Sequence, residues 1–298
     1  MEILKKSPLW PKAKYICDQL KENGYTALIA GGAVRDALLG IPAKDIDIAT
    51  DAPPESIEKI FPNTISVGKL FGTIVVVVDD QNFEVTRFRK DGEYKDGRRP
   101  EKVEYSNPEE DAKRRDFTVN ALFYDITNDQ IIDYVDGIAD IEQGRLRFVG
   151  DALSRIREDK LRIMRGIRFV GQLGFELEQS AFDAIKSYSY ALPQVSQERI
   201  TDEFKKILFS KKPIQALSVF ESAGLFSVVF TELNQIWEKS VAGGNETIYR
   251  DPFTMSKLMV NAAKPFGNHI FSMASFFTPF AFWLKEMKQM KSWNSYFM

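Results

Sequence analysis

The stretch Gly31–Thr50, GGAVRDALLGIPAKDIDIAT, decides the reading of this chain. The run ALIA before it is apolar and short, as a buried strand is. Gly31 and Gly32 follow, and AVRDALLG then spaces its apolar residues as two turns of helix, with Gly40 as the stop. Pro42 breaks the connection, and DIDIAT reads as a second strand. Side chains two apart in a strand share a face, so Asp45 and Asp47 stand together while Ile46 and Ile48 face inward. Two adjacent carboxylates repel unless a cation lies between them. Hard oxygen ligands of this kind suit Mg²⁺, which takes one or two protein carboxylates together with substrate phosphates.

The paired glycines strengthen that reading. Lacking Cβ, Gly31 and Gly32 let backbone N–H groups approach a phosphate closely, and Arg35 lies one turn further along. Taken alone, Gly-Gly before a helix also reads as a plain turn, and an acidic strand face also reads as a solvated one. Together they place a phosphate cradle ahead of two metal-binding acids, the layout of two-metal phosphoryl chemistry. In NFEVTRF, Glu84 faces opposite to Phe83 and Val85, either toward solvent or as a third metal carboxylate from a neighbouring strand.

Around this centre the chain divides into two styles. PPESIEKIF is a helix opened by prolines, and FGTIVVVVDDQNFEVTRFR is a hairpin about a polar DDQN turn. KDGEYKDGRRPEKVEYSNPEED is polar and rich in Gly and Pro, and is expected to be a mobile loop. AKRRDFTVNALFYD follows as helix or turn, then QIIDYVDG as strand. After about Asp140 strand signals stop and helical periodicity takes over, so an α+β half precedes an all-helical half. VAGGNET is the candidate for a later linker.

Composition narrows the chemistry. The chain has 298 residues, 44 % of them hydrophobic, enough for two or three domains with real cores. A single cysteine, Cys17, fits a reducing cytoplasm and excludes an internal disulfide, and a single histidine, His269, excludes a His/Cys zinc cluster. The charged N-terminus has no secretory pattern. HIFSMASFFTPFAFWL, interrupted by Pro279, reads as a buried helix broken there rather than a membrane span. The formal net charge is −2, but Arg145 to Arg168 carries eight basic residues against three acids. A second basic run holds Arg87, Arg89, Lys90, Lys95, Arg98, Arg99 and Lys102. Such local clusters neutralise phosphates even on a mildly acidic chain.

RIREDKLRIMRGIRFVGQLGF, from Arg155 to Phe175, reads as one amphipathic helix. At 100° per residue, Arg155, Glu158, Asp159, Arg162, Arg165, Gly166 and Phe169 form one side, and Leu153, Ile156, Ile163, Met164, Ile167 and Val170 the other. The charged side is either a ladder of salt bridges or a base reader. A carboxylate accepts from the amino group of cytosine or adenine, and an arginine donates to ring acceptors.

These motifs resemble the class II tRNA nucleotidyltransferases, the CCA-adding enzymes and bacterial poly(A) polymerases of the DNA polymerase beta-like superfamily. GGAVRD with DID resembles that family's metal and triphosphate motif, KRRDFTVNAL its second motif, and REDKLRIMRGIRFVGQLGF its base-reading neck helix. QERITDEFKKIL is similar to the next motif, in which Glu198 and Arg199 brace the neck. The resemblance covers residues 20–230. It implies an α+β nucleotidyltransferase head with a mixed sheet over 1–140, a helical neck over 141–210 and a helical body over 211–298, a candidate for RNA binding. It implies that Gly32 and Arg35 contact the nucleotide phosphates and that Asp45 and Asp47 hold Mg²⁺. It also implies that Arg114, Arg115 and Asp116 grip the incoming nucleotide. Asp159 and Arg162 then pair with its base, supported by Glu158, Arg165 and Arg168. The expected reaction is addition of CMP and AMP from CTP and ATP to the 3′ end of a tRNA in the cytoplasm. SVGKLFGTIVVV is similar to the CCA-adding pattern, and the loop from Lys90 to Pro108 resembles the element used in switching from C to A. Poly(A) addition by the same chemistry, and a catalytically silent RNA-binding protein, are the rival readings.

Overall fold

The computed structural model describes residues 1–68, 72–92 and 103–229. VAGGNET, HIFSMASFFTPFAFWL, the side chains of Lys95, Arg98, Arg99 and Lys102, and the expected body after Val229 lie outside the described residues.

In chain order the elements begin with α1 (Glu2–Lys5), α2 (Trp10–Glu22), β1 (Ala27–Ala30), α3 (Gly32–Leu38), β2 (Asp47–Thr50) and α4 (Pro54–Ile60). Next come β3 (Thr64–Gly68), β4 (Thr73–Val78), β5 (Gln81–Arg87), β6 (Arg89–Asp91), β7 (Val103–Tyr105) and α5 (Pro108–Lys113). A 3₁₀ turn at Thr118–Asn120 leads into β8 (Phe123–Asp125), β9 (Gln130–Ile132), α6 (Gly137–Glu142) and β10 (Arg145–Leu146). Then follow α7 (Ala152–Glu158), α8 (Arg162–Leu173), β11 (Glu176–Leu177) and α9 (Gln179–Tyr188). After a second 3₁₀ segment at Ser189–Gln194 come α10 (Gln197–Leu208), α11 (Pro213–Ser222) and α12 (Leu225–Val229).

A seven-stranded mixed sheet, ordered β3-β4-β5-β2-β1-β8-β9, carries the first half. β1 lies antiparallel to both β2 and β8, while β2 runs parallel to β5 with Ile48 opposite Val85. β1 is buried along its whole length, which is why its sequence is ALIA without alternation. One face of the sheet packs Leu28, Ala30, Ala49 and Phe123 with Phe88, Ala112, Ala121 and Val149. α2, α3 and α4 also pack on the strands, and Ile16, Leu20 and Ile57 are fully buried.

Contacts divide the chain into two compact units. One is Met1–Arg162 with Glu176–Ala184; the other is Ile163–Phe175 with Ile185 onward. This division cuts across the 141–210 segment expected as a neck. Within the second unit α8 lies close to the segment after α10. A Cβ on Gly171 would sit 2.4 Å from the Ser210 hydroxyl and 3.0 Å from the Ala216 Cβ.

Five local readings change. The strand DIDIAT starts only at Asp47, so Asp45 stands in the connection before it. The hairpin turn is tighter than DDQN: Asp79 and Asp80 alone turn the chain, at φ 46° and 59°, in the left-handed pair that matches strand twist. The described ends of the expected loop form regular structure. β6 pairs with β7, and the Asn107 side chain accepts from the Glu110 N–H at 3.0 Å to start α5, with Pro108 at its first position. Strands also continue past Asp140, since β10 pairs in parallel with β11. Finally, the helix drawn through 155–175 is two helices. Asp159 is extended (φ −142°, ψ 108°), and its carboxylate accepts the Leu161 N–H at 3.0 Å, a local bond that competes with helical continuation.

The tightest backbone approach is at Gly137, where a Cβ would lie 2.3 Å from the Thr118 carbonyl oxygen. Since the obstacle is backbone, Gly137→Ala is expected to cost about 1–3 kcal/mol. A urea titration reads the lowered midpoint.

Candidate nucleotide-binding site

The centre is built where β1 ends and β2 and β8 begin, with the middle of β5 alongside. Gly31 has φ 68°, a conformation that favours glycine, and a Cβ there would lie 2.9 Å from Nη1 of Arg115. Its N–H already donates to the Leu122 carbonyl at 2.9 Å, so Gly31 supplies shape rather than a spare donor. Gly32 opens α3, and a Cβ on it would lie 3.6 Å from Nη2 of Arg35. α3 is only seven residues long, which limits what its dipole adds. Arg35 donates through Nε and Nη2 to Oδ1 of Asp36, at 2.9 and 2.7 Å, and through Nη1 to Oδ1 of Asn120.

Asp47 begins β2 opposite Ala30 of β1. The Ile48–Val85 register sets Glu84 of β5 beside it. Solvent reaches the Asp47 side chain, yet protein flanks it on its other sides. That burial first, then the charges of Glu84 and Asp45, push its carboxyl up to about 6, against the opposing pull of Arg115. Among the described residues no three Asp, Glu, His or Cys side chains converge as a complete metal cage. The donors present are oxygens that repel one another, which fits Mg²⁺ completed by substrate phosphates.

The RRD segment lies directly after α5. Asp111, 2 % exposed, accepts from Arg114 at 2.6 Å and from Arg115 at 3.0 Å. Burial alone would raise the Asp111 carboxyl, but the charges and hydrogen bonds of Arg115 and Arg114 outweigh it and hold it below its ordinary value. Arg115 also donates to the Asn120 carbonyl at 3.1 Å and lies over the Phe123 ring at 5.0 Å. Asp116 is buried. Its carboxylate accepts from the Phe117 N–H at 2.8 Å and from the Asn120 amide at 3.3 Å.

The expected base-reading residues fall on both sides of the break at Asp159. Glu158, the last residue of α7, pairs with Arg155 and with Arg162, each at 2.5 Å. Arg162 is buried and donates further to the carbonyls of Arg155 at 2.8 Å and Arg114 at 3.3 Å. Arg155 donates to the Lys113 carbonyl at 3.2 Å. The two arginines thus finish the C-terminal end of α5, where a helix leaves carbonyls unpaired. Arg165 and Arg168 belong to the second compact unit. Both lie over the Phe169 ring, and Arg168 pairs with Glu203 at 2.6 Å.

Comparison with known proteins gives this arrangement a lineage. Residues 27–147 match the poly A polymerase head domain, and residues 174–236 match the domain described as the probable RNA and SrmB-binding site of polymerase A. The CCA-adding enzyme of Ligilactobacillus salivarius is 43 % identical over 236 residues, which make up 77 % of this chain and 58 % of that protein. The chain belongs to the poly(A) polymerase and CCA-adding enzyme family. A second family member, from Geobacillus thermodenitrificans, is 47 % identical over 219 residues, 73 % of this chain and 54 % of that one. The crystal structure of the Bacillus stearothermophilus CCA-adding enzyme in complex with CTP superposes with a TM-score of 0.68 at 44 % identity, covering 74 % of this chain and 53 % of that one. The Thermotoga maritima CCA-adding enzyme complexed with tRNA, at 20 % identity and a TM-score of 0.71, shares the fold. The chain spans a little over half the length of the curated relatives it matches.

Sequence reading passes over two residues that hold these arginines, Asp111 and Asn120. Asp111 carries a legible signal, because Arg114 and Arg115 follow it at helical i,i+3 and i,i+4 spacing. Asn120 carries none; its partner Arg35 is 85 residues away.

Asp111 also sets an acid sensitivity. Its folded pKa lies below the ordinary 3.8, so its contribution is fully present above that value and is lost as pH falls through the depressed one. Asp111→Asn is expected to lower stability by about 3 kcal/mol at pH 7. The gap to wild type narrows below pH ~4 when denaturant midpoints are compared across pH.

Proposed function

We propose that this chain adds CMP and AMP to the 3′ end of tRNA, without a template, by nucleotidyl transfer from CTP and ATP. The observation that carries the reading is the repelling group of Asp45, Asp47 and Glu84 beside Arg115, to which Asn120 links Arg35, in a chain 43–47 % identical to CCA-adding enzymes. Asp45 and Asp47, with Glu84 as an additional carboxylate, would hold Mg²⁺. With that ion bound, the site gains a Lewis acid that acidifies the attacking hydroxyl and offsets the charge of departing pyrophosphate.

The chain's own residues supply the rest. Arg35 and Arg115, around the Gly31–Gly32 turn, hold the triphosphate. Arg114 and Asp116 orient the nucleotide from the α5–β8 connection. Asp159 and Arg162 select cytosine and adenine, with Glu158, Arg165 and Arg168 in support. A guanidinium has five N–H donors, so the bonds Arg162 makes within the protein leave it capacity for a base. No protein nucleophile is required. A tRNA substrate places the activity in the cytoplasm. Among the described residues no helix is long and apolar enough to cross a membrane.

The name of the matched head domain favours a second reading, poly(A) addition by the same centre. Incubation with tRNA lacking its CCA end, plus CTP and ATP, separates the two. Three added residues followed by a stop support CCA addition; a long A tail transfers the assignment to poly(A) polymerase. Asp47→Asn should lower addition by about 100-fold or more, beyond what loss of an outer-shell partner costs. Undiminished turnover would overturn the metal assignment. Arg162→Ala should weaken discrimination against UTP and GTP by about tenfold while RNA affinity stays constant, read by competition between nucleotides and by filter binding.

A further inference from the structure

We infer that Asn120 is a positioning residue that fixes Arg35 and Asp116 for the phosphate-bearing end of the nucleotide. The inference rests on the reading above, that these residues grip a nucleoside triphosphate. Asn120 ends the 3₁₀ turn Thr118–Asn120 and is buried, with 8 % exposure. Its Oδ1 accepts from Nη1 of Arg35, and its Nδ2 donates to Oδ1 of Asp116 at 3.3 Å. Its backbone N–H donates to the Phe117 carbonyl at 2.9 Å, and its own carbonyl accepts from Nη1 of Arg115 at 3.1 Å. One side chain and one peptide therefore join α3 to the RRD segment at three of the residues assigned to the nucleotide.

The chemistry of the two side-chain partners specifies an amide. A guanidinium only donates, and an ionised carboxylate only accepts. A group wedged between them must accept on one side and donate on the other. The charges also fix which way the amide points, because a flipped amide would set N–H against N–H and oxygen against oxygen. Aspartate at this position keeps the acceptor for Arg35, but it loses the donor and brings a like charge against Asp116. Alanine loses both. Asp36 holds the remaining edge of the Arg35 guanidinium, so Asn120 completes the restraint on its orientation.

A double-mutant cycle with Arg35 distinguishes positioning from a merely structural role. Affinity of the full chain for inorganic tripolyphosphate is measured by calorimetry for wild type, Asn120→Ala, Arg35→Ala and the double variant. If Asn120 acts through Arg35, Asn120→Ala weakens binding by about tenfold in the wild-type background and by little once Arg35 is gone. KM for CTP and for ATP then rises by a common factor, with the C-to-A preference kept. Additive losses, or unchanged tripolyphosphate affinity in Asn120→Ala, overturn the proposal. Asn120→Leu, close in size and without polar side-chain atoms, runs the same cycle should the alanine variant fail to fold, with the same two outcomes. Because tripolyphosphate binding needs no nucleotide addition, coupling in the cycle supports the positioning role whichever product the chain makes.

Discussion

Like charges gathered on two neighbouring strands are the constraint on which the head depends. β2 and β5 run parallel, and their register brings Glu84, midway along β5, next to Asp47 at the start of β2, with Asp45 just upstream. Burial first, and then that repulsion, raise the Asp47 carboxyl, and Arg115 opposes them only in part. Arg115 therefore stands between a group of acids that repel one another and the buried Asp111 that holds it.

The arginines are held by similar means. Asp111 is buried and takes both Arg114 and Arg115. The two guanidinium groups are thereby oriented by a single carboxylate. Arg155 and Arg162, bridged by Glu158, then dock on the carbonyls of Lys113 and Arg114 at the end of α5. Glu158 and Arg162 therefore share one hydrogen-bonded frame with Arg114, Arg115 and Asp111.

Much of this was legible in the sequence because it is local. The strand, glycine turn and helix around Gly31, the acids at 45 and 47, and the hairpin of β4 and β5 are each set by residues within a few positions of one another. The errors arose where one short-range bond overrides a periodic pattern. The 100° spacing runs unbroken across Asp159, yet its carboxylate caps Leu161 and ends the helix. The β6–β7 and β10–β11 pairs were missed because two or three residues carry no readable alternation. Asn120 was invisible because its partner lies on a distant element, and only folding brings the two together.

The path of the chain between the two compact units has a genetic consequence. Between Ile163 and Phe175 the chain leaves the first unit, and it returns at Glu176 so that β11 can lie along β10. A reading frame stopped at Arg162 would encode a first unit deprived of the segment that completes that ladder. The two units thus alternate along the chain, the first regaining Glu176–Ala184 before the second resumes at Ile185. Shuffling by simple end-to-end fusion of exons or operon fragments would break both, so the pair is expected to be inherited as one indivisible cassette.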